Sequence, residues 1–172
     1  VLRNLEDHHR MMRRSLPLIA SENVPSPAVR EALASDFGNR YAEGWPGERV
    51  YAGCEYMDAV EETANELGRK LFKCDFVDVR PISGVFANLA MFSIFSNPGD
   101  VLMSCTIPTG GHISHAKKRI GGTAGAIRDL DVQNYPFNED DYEIDLDETA
   151  RMVEELRQGG RAPKIFVLGA SV

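Results

Sequence analysis

The chain has 172 residues, 43% of them apolar, and a formal charge of −7. That length supports a domain with a real core, and the acidic balance excludes a general affinity for nucleic acid, which needs a basic surface. No apolar run approaches the ~20 residues of a membrane-spanning helix. The cysteines Cys54, Cys74 and Cys105 are widely spaced and form no Cys-x-x-Cys pair, the usage of reduced thiols in a cytoplasmic protein. No signal peptide is visible. A start at Val1 and an end at Val172, at the exit of a predicted strand, read as a chain cut at both ends.

In chain order, Leu2, Leu5 and Met12 predict a short amphipathic helix. Ser26-Pro27 is an N-cap followed by proline at the first helical position, opening a helix that Gly38 ends. Residues 39 to 58 follow neither helical nor strand periodicity, and Gly44-Trp45-Pro46-Gly47 breaks both, so an ordinary strand or helix is not expected there. The segment is nevertheless too aromatic for a solvated linker. Val60, Ala64, Leu67 and Leu71 recur at helical spacing and predict a helix over 56–72. A strand follows over Phe76 to Val79, then a largely buried helix over Gly84 to Phe95. Pro98-Gly99-Asp100 is a turn, Val101 to Cys105 a strand, residues 126 to 135 hold another, Asp145 to Arg157 is a helix, and Lys164 to Gly169 the last strand. Strands alternating with helices imply parallel pairing and right-handed crossovers, hence an α/β class.

Parallel sheets bind ligands beyond the carboxyl ends of their strands, and two such places carry suggestive residues. Ser83-Gly84 precedes a helix, where backbone N–H groups and the helix dipole favour a phosphate; a serine N-cap on a tight turn explains the same residues. No lysine follows in the position a P-loop requires. His112 and His115 lie three residues apart after the next strand. With no cysteine or acidic ligand beside them, a metal site is not expected, and a structural or cofactor-contacting imidazole fits better. The acidic run from Asn138 to Asp145 lacks the glycine of a calcium loop and reads as a solvated turn feeding a capped helix.

Taken together, Leu18-Ile-Ala-Ser-Glu-Asn23, Tyr41-Ala-Glu-Gly44, Pro46-Gly47, Gly53-Cys-Glu-Tyr56, Ser83-Gly84 with Ala87-Asn88, Pro98-Gly-Asp100 and Gly110-Gly-His112 occur in one order. This closely resembles the N-terminal part of serine hydroxymethyltransferases, pyridoxal-phosphate (PLP) enzymes of the aspartate aminotransferase-like fold type I. The resemblance implies a helical arm over residues 1–38 and the N-terminal part of the PLP-binding large domain over 39–172. It also implies interconversion of L-serine and glycine, with one-carbon transfer to a tetrahydropterin, by a cytoplasmic homodimer with shared active sites. Glu43 matches the catalytic glutamate that handles protons, and Tyr41 a tyrosine reaching the neighbouring subunit's cofactor phosphate. Tyr51 matches one near the amino-acid substrate. Ser83, Gly84 and Val85 match the phosphate cup, His112 the imidazole stacked on the PLP ring, and Ser171 a serine beside the ring hydroxyl. Ser21 matches a substrate-side serine. Ile107, Gly111 and Ile113 align with positions lining the pterin pocket. The loop at 39–58 is then an arm completing a partner's site.

The sequence departs from the family pattern at several places. Ile82, Val85 and Phe86 stand where histidine, serine and glutamine are usual, Val50 replaces a pterin-flanking tyrosine, and Thr109 replaces a histidine. None of Lys70, Lys73, Lys117, Lys118 and Lys164 has the context of the family's Schiff-base lysine, so the 172 residues alone are expected to be inactive. The departures leave open a PLP aldolase or transferase with another carbon acceptor, and the missing lysine a non-catalytic dimerising chain.

Overall fold

The computed structural model describes residues 1–19 and 21–169. The chain divides into two compact units, one formed by Val1–Asn23 with Pro98–Val172 and the other by Val24–Asn97. Helix α1 (Leu2–Met12) opens the first unit.

In the unit 24–97, Ser26 caps α2 (Pro27–Leu33) by accepting a hydrogen bond from the Val29 N–H. The helix expected to reach Gly38 stops earlier. Ser35 turns extended, accepts from the Phe37 N–H and starts a separate 3-10 turn over Asp36–Asn39. This is local side-chain competition with the helical ladder. The aromatic loop does contain regular structure, contrary to expectation: β1 (Gly44–Trp45) pairs antiparallel with β2 (Glu48–Arg49). Pro46-Gly47 makes the turn, and Gly47 at φ 78° supplies the positive dihedral of a type II turn.

Helix α3 (Glu55–Phe72) follows the predicted spacing. Its Gly68 allows close approach of Val77, whose Cγ1 lies 2.9 Å from where a Cβ on Gly68 would stand. The strand predicted at Phe76 to Val79 does not form among the described residues. Apolar β-branched residues report burial, but a strand needs a ladder partner as well. Helix α4 (Gly84–Phe95) appears where expected, yet only Phe92 is buried on it, and Phe86, Met91, Ile94 and Phe95 are exposed. Its apolar residues surround the axis, the pattern of a helix made to be covered on several sides.

In the other unit, β3 (Val101–Ser104) is completely buried and pairs in parallel with two neighbours. These are β4 (Asp131–Asn134), preceded by the short α5 (Thr123–Ile127), and β7 (Ile165–Phe166), giving the order β4-β3-β7. The parallel pairing matches the alternation read from the sequence. β4 falls within residues 126–135 as expected, and β7 is shorter than the predicted Lys164 to Gly169. A small antiparallel pair, β5 (Phe137–Asn138) with β6 (Glu143–Ile144), occupies the acidic run read as a turn. Asp145 then caps α6 (Leu146–Gln158) through the Glu148 N–H. Val101, Met103 and Tyr135 form the core against Ile144, Met152, Val153 and Leu156. Leu102 points to the opposite face, as the pleat requires. Leu102 and Met103 show no exposed surface, and burial of each contributes about 1.5–3 kcal/mol.

Candidate functional site

Central strand β3 positions the histidine segment. Beyond Ser104 the chain runs through tight 3-10 turns at Ile107–Thr109 and Ile113–His115. The Ser104 hydroxyl donates to the His115 carbonyl at 3.1 Å, tying the second turn to the strand end. Gly111 is buried, and its N–H donates to the Thr106 carbonyl at 2.7 Å. A Cβ there would fall 2.3 Å from the Cys105 carbonyl oxygen, so only glycine fits.

The two imidazoles hold each other's turn. The His112 N–H donates to His115 Nε2 at 2.6 Å, and His112 Nδ1 accepts from the Ser114 N–H at 3.1 Å. His112, when neutral, therefore bears its proton on Nε2. Its ring is fixed at one edge and exposed to solvent. His115 is buried, and burial, reinforced by His112, pushes its pKa below the usual imidazole value. The pair is thus one exposed ring supported by one buried ring. Among the described residues no group of three or more His, Cys, Asp or Glu side chains is placed to hold a metal.

In the other unit the loop 39–58 is organised by Arg49, which the sequence reading did not single out. Its guanidinium donates through Nε to Asp58 at 2.7 Å and through Nη2 to Glu61 at 2.6 Å. Nη1 donates to the carbonyls of Ala42 and Gly44, both at 2.6 Å. Asp58 also accepts the Gly47 N–H at 2.9 Å. That backbone hydrogen bond, then Arg49, holds the Asp58 carboxyl below its ordinary pKa; Glu61 and then Asp58 raise that of Arg49. No local signal marks it: Arg40 and Arg49 both lie amid the aromatics of this segment, and which of them meets Asp58 and Glu61 on α3 is decided by the fold.

This clasp presents the predicted residues together. The Tyr41 and Tyr51 rings lie 5.7 Å apart at a tilt of 59°. The Glu43 carbonyl accepts from the Val50 N–H at 2.9 Å, and the buried Cys54 thiol donates to the Tyr41 carbonyl. Glu43, Tyr41 and Tyr51 are all exposed. In the same unit Ser83 caps α4 by accepting from the Phe86 N–H at 3.3 Å, leaving its own O–H to donate. A Cβ at Gly84 would meet nothing within 4 Å, and no acidic side chain occupies the first turn. The N–H groups of Gly84 and Val85 thus face an open helix end suited to an anion. Ser21, Ile107 and Ile113 are exposed. Ser171 lies outside the described residues.

A three-stranded parallel sheet with a fixed histidine segment beyond its central strand, flanked by helices, defines an α/β fold. The family model described as serine hydroxymethyltransferase matches residues 1–172. The chain belongs to the serine hydroxymethyltransferase family, whose fold is type I. It is 57% identical over its whole length to a serine hydroxymethyltransferase of Nitrosopumilus maritimus. It is 58% identical over 168 residues, 98% of the chain, to that of Cenarchaeum symbiosum, and 48% identical over its whole length to that of Archaeoglobus fulgidus. It spans 39%, 38% and 37% of the lengths of these three relatives.

Proposed function

We propose that the protein acts as a serine hydroxymethyltransferase, interconverting L-serine and glycine and passing the one-carbon unit to a tetrahydropterin, as a cytoplasmic homodimer with shared sites. The observation that carries this reading is the clasped loop, which holds Glu43 on the same fixed backbone as the paired rings of Tyr41 and Tyr51.

Each unit by itself offers groups chemically suited to pyridoxal 5'-phosphate. The Ser83 hydroxyl and the N–H groups of Gly84 and Val85 would hold the phosphate, with Tyr41 reaching the phosphate of the neighbouring subunit. The exposed, edge-anchored ring of His112 suits stacking on a flat heterocycle. When bound, the cofactor supplies an electron sink for bond cleavage at the substrate α-carbon. Ser21 and Tyr51 orient the amino acid, and Glu43 holds or yields a proton as the one-carbon unit leaves. Ile107, Gly111 and Ile113 border the pterin. Val50 and Thr109 favour a second reading, in which another carbon acceptor replaces the common tetrahydropterin.

The test uses the complete chain loaded with PLP. Serine cleavage with tetrahydrofolate, strongly reduced to a measurable residual rate in Glu43→Gln while cofactor occupancy persists, is the expected result. His112→Ala should instead lower cofactor occupancy. Exchange of the glycine α-proton without serine cleavage would support the second reading. Absence of both reactions would overturn the proposal.

A further inference from the structure

We infer that Arg49 is a positioning residue for Glu43, setting the direction of its carboxylate through the backbone on either side of it; this rests on the catalytic role proposed for Glu43. The two protons of one Nη1 nitrogen go to the carbonyls of Ala42 and Gly44, the residues immediately before and after Glu43. The remaining bonds of the same guanidinium run to Asp58 and Glu61 on α3, so the clasp is referenced to a long helix. The Arg49 side chain is 6% exposed, against 19% for Asp58 and 16% for Glu61, which keeps water from replacing these bonds.

The peptide on both sides of Glu43 is thereby fixed, and a third bond, from the Val50 N–H to the Glu43 carbonyl, closes the frame. Gly44 at φ 103° lets the chain turn away directly after the glutamate, bringing its carbonyl to the arginine. Among the described residues no ion pair or side-chain hydrogen bond holds the Glu43 carboxylate, which is exposed. Its aim therefore depends on the main chain. Lysine cannot serve at position 49. An ammonium is a point donor without the planar fork that reaches two carbonyls and two carboxylates at once.

A misplacement of about 1 Å of a catalytic group costs on the order of a hundredfold in rate. In the complete, PLP-loaded enzyme, Arg49→Lys should lower kcat for serine cleavage by about tenfold to a hundredfold with cofactor occupancy unchanged. The decisive measurement is the double-mutant cycle with Glu43→Gln. If Arg49 acts through Glu43, Arg49→Lys costs nothing further once Glu43 is already glutamine. Equal losses in both backgrounds would overturn the inference and leave the role of Glu43 standing. A Glu43→Gln enzyme with full activity would overturn the underlying reading and this one with it. Should Arg49→Lys fold poorly, Glu61→Gln loosens the same clasp from its far side. Its smaller loss should likewise vanish in the Glu43→Gln background, and persistence there overturns the inference equally.

Discussion

The guanidinium carbon of Arg80 lies 3.8 Å from the centre of the Trp45 ring, while the same group donates to Asp78 at 2.8 and 2.6 Å. One arginine thus joins the hairpin that follows Glu43 to the segment leading into Ser83. Planarity lets it stack and form a fork simultaneously.

The Arg80 hydrogen bonds, opposed by partial burial, bring the Asp78 pKa from an ordinary 3.8 down to about 2. A depressed carboxyl pKa stabilises the fold above the ordinary value, and that contribution disappears as pH falls through the folded one. The window is therefore from about pH 4 down to about pH 2. In Arg80→Gln the Asp78 carboxyl should titrate near 3.8, read by carbon-detected NMR. An unchanged midpoint would contradict the assignment of the cause.

Gly68→Ala tests how α3 meets the segment at Val77. Alanine gains up to about 1 kcal/mol of helix propensity over glycine. Here its methyl would stand 2.9 Å from Val77 Cγ1, and overpacking costs typically about 1–3 kcal/mol. Denaturant unfolding should show Gly68→Ala destabilised in the natural background and stabilised in the Val77→Ala background. The same sign in both would show that Val77 is not the obstacle.

Tyr135 is a core residue whose hydroxyl has no hydrogen-bond partner among the described residues. Burial first, and Cys105 second, push its pKa from 10 up to about 12. A raised acid pKa leaves its contribution to stability intact below the ordinary value of 10 and removes it as pH rises through about 12. Tyr135→Phe removes an unsatisfied polar atom and should be neutral or stabilising by up to about 1 kcal/mol. It should also abolish the last tyrosinate absorbance to appear in an alkaline titration. A loss of stability would reveal a partner for the hydroxyl.

The shared-site reading is tested by mixed dimers of the complete enzyme. One subunit carries Glu43→Gln and the other lacks the cofactor lysine. If the loop serves its neighbour, one site collects both defects and the other none, restoring up to about half the wild-type activity. Inactive mixtures, with heterodimers verified by mass spectrometry, would place Glu43 in its own subunit's site.

Much of this protein was legible in its sequence. The helices over 2–12, 55–72, 84–95 and 146–158 follow from apolar spacing and from caps such as Ser83 and Asp145, because those signals lie within a few residues of each other. The order of short motifs marked the family, and Gly44 and Gly47 marked a break in both periodicities. Pairing and coordination were not legible. Whether Phe76 to Val79 joins a ladder depends on a neighbour's edge, which no local pattern encodes. That Arg49 clasps the carbonyls beside Glu43, that His115 supports His112, and that Arg80 stacks on Trp45 depend on where remote segments come to rest. Periodicity determines which residues want burial; only the tertiary structure decides which polar groups meet, since hydrogen bonds are directional and the hydrophobic effect is not.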